Sequence, residues 1–79
     1  MKHLDKFADG WIASYDIRDE WIDVVDKTLD RCLEKIPSLR IIQIKEKFGE
    51  LRIYTTHDSD RDVTRWVRDA ERKVARRGS

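Results

Sequence analysis

The spacing of the apolar residues changes twice along this chain of 79 residues. Between about residues 18 and 36 they recur at three- and four-residue steps, which places them on one face of a helix. Between 39 and 56 the residues are those of strands, rich in β-branched and aromatic side chains, and after residue 60 the helical spacing returns. This order predicts a small α+β domain with an α-β-β-α arrangement, in which two amphipathic helices pack on an antiparallel hairpin.

We predict the following bounds within one domain over 1–79. An N-terminal arm or short helix spans 1–15, helix one 16–36, the hairpin 39–56, and helix two 60–77, ending near Gly78. Pro37 ends helix one because proline disfavours helical geometry in the residue before it. Two strands alone are only marginally stable, so the helices, or the hairpin of a second copy, must cover their apolar face.

The burial pattern selects one register for the hairpin, whose turn is Lys47-Phe48-Gly49-Glu50. If Glu46 faces Leu51, an apolar face forms, and an odd slip would move Arg52 into that face. The predicted core face comprises Ile42, Ile44, Leu51, Ile53 and Thr55. The predicted outer face comprises Ile41, Gln43, Lys45, Arg52, Tyr54 and Thr56.

Composition limits how such a small core can be stabilised. A hydrophobic fraction of 39% with three tryptophans supports one core, and we expect Trp11, Trp21 and Trp66 at its centre. Cys32 is the single cysteine, so neither a disulfide nor a structural zinc site can form, and we expect it to be a small buried side chain. No apolar run is long enough to span a membrane or to serve as a signal peptide, so we expect a cytoplasmic protein.

The charged residues form two stripes of opposite sign. Each stripe covers an arc of about 80° when a helix turns by about 100° per residue. The basic stripe, on helix two, comprises Arg61, Arg65, Arg68, Arg72 and Arg76. The acidic stripe, on helix one, comprises Asp19, Asp23, Asp26, Asp30 and Glu34.

Two interpretations of the basic stripe remain open. It is either a solvated helix face, or a surface that meets another copy's acidic stripe, an acidic protein or a phosphate backbone. A protein ranks above nucleic acid, because Asp62, Asp69 and Glu71 beside the stripe weaken a nonspecific phosphate track.

The outer hairpin face is a second candidate contact surface. Lys45 would stand opposite Arg52, flanked by Gln43 and Tyr54, and like charges across a strand pair repel. The alternative is that both cations point into solvent or pair with helix-one carboxylates. Phe48 lies where turns are normally polar, so it either folds back onto the core, which we favour, or anchors a partner.

The hairpin also carries a recognisable motif. Residues 44–54 resemble a family of small phage and prophage proteins of uncharacterised function, marked by a Lys-Glu-Lys-Phe-Gly-x-Leu-Arg-x-Tyr core. The resemblance extends to the upstream Gly10-Trp11 and the downstream Ala70-Glu71. It implies a phage-type accessory protein in a bacterial cytoplasm, where such proteins bind and redirect host proteins.

No set of residues in the sequence has the spacing of a catalytic, metal or cofactor site. His3 and His57 are isolated from each other, and no nucleophile lies beside a base. We therefore expect a noncatalytic protein, without metal or cofactor, that binds, or binds and inhibits, a host or phage protein and is able to form a homodimer. The alternative is a nucleic-acid-binding protein. The candidate contact residues are Arg61, Arg65, Arg68, Arg72, Arg76, Lys45, Arg52, Tyr54 and Phe48.

Overall fold

The computed structural model describes residues 1–77 and contains two helices and a three-stranded sheet, which confirms the α+β class. The strands are β1 (Tyr15–Asp16), β2 (Ile41–Lys47) and β3 (Glu50–Thr55), and the helices are α1 (Ile22–Lys35) and α2 (Arg61–Arg77). Two 3₁₀ turns cover Leu4–Lys6 and Asp19–Trp21. Gly78, near which helix two is predicted to end, lies outside the described residues. No helix in the described part of the chain is both long and apolar enough to cross a membrane.

Helix α1 begins at Ile22, later than the predicted bound of 16. The difference arises because Tyr15–Asp16 forms a strand and Asp19–Trp21 forms a 3₁₀ turn. The helix ends as predicted before Pro37, and the Ile36 N–H donates to the Cys32 carbonyl at 2.9 Å.

The sheet contains one strand that the sequence pattern did not indicate. Strand β1 pairs in parallel with β2, which matches Tyr15 to Ile44 and Asp16 to Lys45. A further parallel bridge joins Phe7 to Ile41. The sheet order is therefore β1-β2-β3, so the outer edge of the sheet on the hairpin side belongs to β3.

The predicted hairpin register is confirmed, with one local correction. Glu46 faces Leu51 and Lys45 faces Arg52. A bulge between Ile41 and Gln43 pairs Ile41 with Thr55 and so moves Ile41 into the core. The placement of Ile41 on the outer face was therefore wrong, and Ile42, predicted to be core, is only partly buried.

The core forms between the sheet and the two helices. Trp21 is fully buried with Val25 and Leu29 of α1, and they meet Ile44, Leu51 and Ile53 of the sheet and Ala70 and Val74 of α2. The other two tryptophans do not lie at this centre: Trp66 is partly buried beneath the Arg31 guanidinium at 4.7 Å, and Trp11 is half exposed. Cys32 is buried as predicted.

The N-terminal segment contacts part of the acidic stripe. Asp26 is buried and accepts hydrogen bonds from the Tyr15 hydroxyl at 2.8 Å and the Lys2 backbone N–H at 3.0 Å. Asp30 lies 2.9 Å from Lys2 Nζ and 2.7 Å from His3 Nε2. The stripe is therefore not the continuous solvent-facing row that helical spacing predicts.

Helix α2 begins at a side-chain cap. Asp60 Oδ1 accepts from the backbone N–H groups of Asp62 and Val63 at 3.0 and 3.1 Å. Lys35, at the end of α1, pairs with both Asp60 and Asp62 at 3.0 and 2.8 Å. This contact joins the end of α1 to the start of α2.

Candidate binding surface

The basic stripe lies on the exposed side of α2. All five arginines are exposed, whereas Val63, Ala70 and Val74 on the same helix are buried. The separation of the apolar and basic faces is therefore as predicted. Exposure alone is consistent with both a solvated face and a contact surface.

The structure brings two of these arginines to the hairpin. Arg68 and Arg72 line a shallow depression of about 330 Å³ together with Arg52 of β3. Glu50 and Glu71 line the same depression. The cationic residues of α2 and of the hairpin, which are far apart in sequence, thus lie next to each other beside β3.

The remaining arginines lie farther from the hairpin. Arg61 and Arg65 line a separate groove along α2, to which Arg68 and Arg72 also contribute. Arg65 donates to Asp62 Oδ1 at 3.3 Å, so it is engaged on its own helix. Arg76 is exposed and lines none of these depressions.

The cross-strand pair of Lys45 and Arg52 is stabilised from within the hairpin. Arg52 forms an ion pair with Glu50 on its own strand. Lys45 Nζ lies 5.7 Å from the centre of the Tyr54 ring, within the range of a cation–π contact. Neither of these contacts involves a helix-one carboxylate, which was one of the two alternatives that the sequence left open, the other being that both cations point into solvent.

A larger cleft joins the outer face of the sheet to α2. It has a volume of about 490 Å³, and its lining includes Trp11, Lys45, Tyr54, Val67 and Arg68. Trp11 is 51% exposed and Tyr54 is 43% exposed, so the cleft combines accessible aromatic rings with cations. Sequence reasoning missed Trp11 because it treated every tryptophan as core.

Phe48 protrudes from the hairpin turn rather than folding back. Its side chain is 94% exposed, so the preferred expectation of packing on the core was wrong. Its backbone has φ +54°, and Gly49 follows with φ +78°, which together define a type I′ turn. Lys47 Nζ lies 5.9 Å from the ring centre. An aromatic residue held in a left-handed conformation and exposed to solvent is a candidate anchor for a partner.

Glu71 is the half-buried carboxylate of this region. Burial raises the pKa of its carboxyl group, and the nearby Arg52 and Arg68 oppose that effect. Its Oε2 atom accepts a hydrogen bond from the Ile53 backbone N–H at 3.4 Å. Glu71 therefore links α2 to the outer edge of β3.

Cys32 is the one cysteine of the chain, and it lies buried in α1. Burial raises the pKa of the Cys32 thiol to about 11, so it is protonated at neutral pH. Among residues 1–77, no three His, Cys, Asp or Glu side chains come together to hold a metal ion. The chemistry available at the surface is that of recognition by arginines, lysines and aromatic rings.

Comparison with known proteins adds no relative. No protein-family model matches the chain, no curated protein matches it, and no solved structure matches it.

Proposed function

We propose that this chain is a noncatalytic, phage-type accessory protein that acts in the bacterial cytoplasm by binding an acidic surface of a host or phage protein. Binding inhibits the partner if the partner needs that acidic surface for its own activity. The observation that carries the proposal is the meeting of Arg52, Arg68 and Arg72 across β3, beside the cleft that Trp11 and Tyr54 line. We call these five residues the basic-aromatic surface.

The composition of this surface favours a protein partner. Aromatic residues and arginine are enriched in protein interfaces and supply most of their hot spots. Beyond this surface, Ile12 and Phe48 are apolar side chains that are 87% and 94% exposed. The carboxylates of Glu50 and Glu71 lie among the cations, so the surface is mixed in charge and is not the continuous basic track that a phosphate backbone needs.

The resemblance of residues 44–54 to phage proteins supports a host or phage protein as the partner. The motif covers Lys45, Phe48, Arg52 and Tyr54, all of which were candidate contact residues from the sequence. Phe48 and Tyr54 of this motif are exposed, whereas Leu51 and Ile53 are buried, so the motif combines residues open to recognition with residues of the core.

The decisive experiment compares two charge reversals on one helix. The test variant is Arg68→Glu with Arg72→Glu, and the matched control is Arg61→Glu with Arg65→Glu, at the same four-residue spacing. Each tagged protein captures partners from a nuclease-treated bacterial lysate, and thermal melting confirms that both variants fold. We expect the test variant to lose the stoichiometric partner and the control to retain it. Retention by the test variant would exclude the basic-aromatic surface.

Nucleic acid is the second candidate, and one observation favours it. Trp11 and Tyr54 are 51% and 43% exposed and line one cleft with Lys45 and Arg68, and proteins that stack single-stranded bases combine aromatic rings with cations in this way. A titration with single-stranded DNA, followed by tryptophan fluorescence at low and high salt, tests it. Binding that weakens steeply with salt, with capture lost on nuclease treatment, would replace the protein partner by nucleic acid.

A second copy of the chain is a poorer partner for the basic stripe than an acidic protein. Asp26 is buried and Asp30 contacts the N-terminal segment, so exposed carboxylates of the acidic stripe are Asp19, Asp23 and Glu34. A homodimer through opposed stripes would dissociate at about 1 M salt, where the screening length is about 3 Å. Sedimentation at low and high salt measures this separately from capture.

A further inference from the structure

Helices α1 and α2 border a second groove, which shares no lining residue with the basic-aromatic surface or with the cleft and depression beside β3. It is lined by positions 24, 27, 28 and 31 of α1 and by positions 66, 69, 70 and 73 of α2. Both sets follow the spacing i, i+3, i+4, i+7, which places each set on one face of its helix. The groove has a volume of about 280 Å³, close to the lower end of the range of about 300–1,000 Å³ for small-molecule pockets.

The charged side chains of this α1–α2 groove are mostly cationic. Lys27, Arg31 and Lys73 line it together with one carboxylate, that of Asp69, so three positive charges and one negative give a formal net charge of +2. Among residues 1–77, none of the three cations forms an ion pair. Lys27 and Arg31 lie four residues apart on α1, where like charges repel each other. The described part of the fold therefore leaves the charge of this groove unneutralised.

Thr28 contributes a hydroxyl group that the fold does not use. The residue is only 8% exposed, and within the described part of the chain its hydroxyl has no hydrogen-bond partner. That oxygen is accessible from the groove, since the one enclosed side-chain polar atom without a partner among residues 1–77 is Trp21 Nε1. Buried polar groups nearly always have a partner, so the Thr28 hydroxyl is suited to bind a ligand atom in the groove.

Trp66 holds one of the cations in place and adds an apolar wall. The guanidinium carbon of Arg31 lies 4.7 Å from the centre of the Trp66 ring, within the range of a cation–π contact. A guanidinium group that is already held loses less conformational freedom when it binds an anion. Val24 and Ala70 are 5% and 3% exposed and line the same groove, so it also offers apolar surface to an organic group.

We propose that the α1–α2 groove binds a small molecule through a phosphate monoester group. A phosphate monoester carries a charge between about −1.5 and −2 at pH 7 and has three strong acceptor oxygens, which match the net charge and the three cations of the groove. A carboxylate has one negative charge and two oxygens, and each phosphate of a nucleic-acid backbone has one negative charge, so both match less well. Lys27, Arg31 and Lys73 bind the phosphate oxygens, Thr28 donates its hydroxyl, and the organic group contacts Trp66.

The probes are phenyl phosphate and phenyl sulfate, which are similar in shape but differ by about one negative charge at neutral pH. A titration of the full chain, followed by the NMR signals of backbone amides and indole groups, measures each Kd and locates the site. We expect phenyl phosphate to bind with a Kd below about 1 mM and to shift the signals of Thr28, Lys73 and the Trp66 indole. Phenyl sulfate should bind at least about fivefold more weakly, because it has less charge to pair with the cations. Inorganic phosphate should also bind more weakly, because it lacks the group that contacts Trp66.

Four variants separate the contacts of the groove. Lys73→Met should weaken the binding of phenyl phosphate at least about fivefold, because it removes a charged donor. Thr28→Val keeps the side-chain shape and should weaken binding about fivefold without lowering the melting temperature, since the hydroxyl has no partner within the fold. Asp69→Asn should strengthen binding about twofold to threefold, because it removes the one carboxylate of the groove. Lys47→Met, at an exposed lysine outside the groove, is the matched control and should leave the Kd within about twofold.

Three results would overturn the inference. The first is that phenyl phosphate shows no saturable binding with a Kd below about 1 mM. The second is that phenyl sulfate or inorganic phosphate binds as tightly as phenyl phosphate does. The third is that Lys73→Met and Thr28→Val bind phenyl phosphate as the parent protein does. Because Arg68 and Arg72 lie outside this groove, none of these results bears on capture of a protein partner, and failure of capture leaves the groove inference standing.

Discussion

Phe48 occupies a backbone conformation that its side chain does not suit. An L-residue with a β-carbon in the left-handed region is destabilised by roughly 1–2 kcal/mol, and asparagine tolerates that region best after glycine. The side chain is 94% exposed, so little packing within the fold offsets this strain. A fold under selection for stability alone would place Asn-Gly in such a turn.

We therefore expect Phe48→Asn to stabilise the protein by about 0.5–1 kcal/mol, because asparagine relieves the strain at φ +54° and little buried area is lost. Urea unfolding measures the change. Phe48→Ala serves as the control and should give no gain, since alanine lacks the polar side chain by which asparagine hydrogen-bonds the local backbone in the left-handed region. A loss of stability in Phe48→Asn would show that the phenyl ring packs within the fold.

The elements show where sequence reasoning succeeds. Helix α1 was predicted correctly in outline, because its apolar residues recur at three- and four-residue steps. The hairpin register was predicted correctly because a shift by one residue would bury Arg52 among apolar side chains. Strand β1 was missed because Tyr15–Asp16 is too short to show a two-residue period. The bulge that exchanges Ile41 and Ile42 was missed because both residues are equally apolar, so neither arrangement is marked in the sequence.

The contact between α2 and β3 includes the carboxylate of Glu71, whose charged form is disfavoured by burial. Burial raises the pKa of Glu71, so the folded protein holds its proton more tightly than the unfolded chain does. The charged form is therefore destabilising, and this penalty is present above the folded pKa and disappears as the pH falls through that pKa. Glutamine at this position would still accept the hydrogen bond from Ile53.

We expect Glu71→Gln to unfold at a higher urea concentration than the parent at neutral pH, and the difference to shrink below about pH 4, where glutamate is protonated. Urea midpoints of both proteins at the two pH values measure this. Glu50→Gln is the matched control and should not stabilise, because Glu50 is exposed and pairs with Arg52. Destabilisation by Glu71→Gln at neutral pH would mean that attraction to Arg52 and Arg68 outweighs burial.

At the scale of the whole molecule, the binding surface is a product of packing. The sequence indicated two separate cationic sets, the α2 stripe and the pair Lys45 and Arg52. Spacing within one helix or hairpin carries no information on which side of the sheet α2 lies. The choice of Arg68 and Arg72, rather than Arg61 and Arg65, follows only from the position of α2 beside β3. Trp11 joins the surface for the same reason, since its segment runs beside β2 through the Phe7–Ile41 bridge.

Ion pairs also connect parts of the molecule that are distant in sequence. Lys2 lowers the pKa of Asp30, Arg18 lowers that of Glu46, and Lys35 lowers those of Asp60 and Asp62. These pairs link the N-terminal segment to α1, the segment after β1 to β2, and α1 to α2. Because all four carboxyl groups have folded pKa values below their unfolded ones, their stabilisation is complete above the unfolded values and is lost as the pH falls through the folded values.

We therefore expect stability to be constant near neutral pH and to fall steadily once the pH drops below about 4, with high salt reducing the slope because the pairs are largely exposed. Urea midpoints across this range measure the profile. Lys35→Met removes the lysine partner of Asp60 and Asp62 and should flatten part of the profile, whereas Lys27→Met, at an exposed lysine on the same helix, should leave its shape unchanged. If the urea midpoint of the parent protein stays level down to about pH 3, these ion pairs contribute nothing to holding the elements together. Apolar burial alone would then fix the arrangement of α2 beside β3.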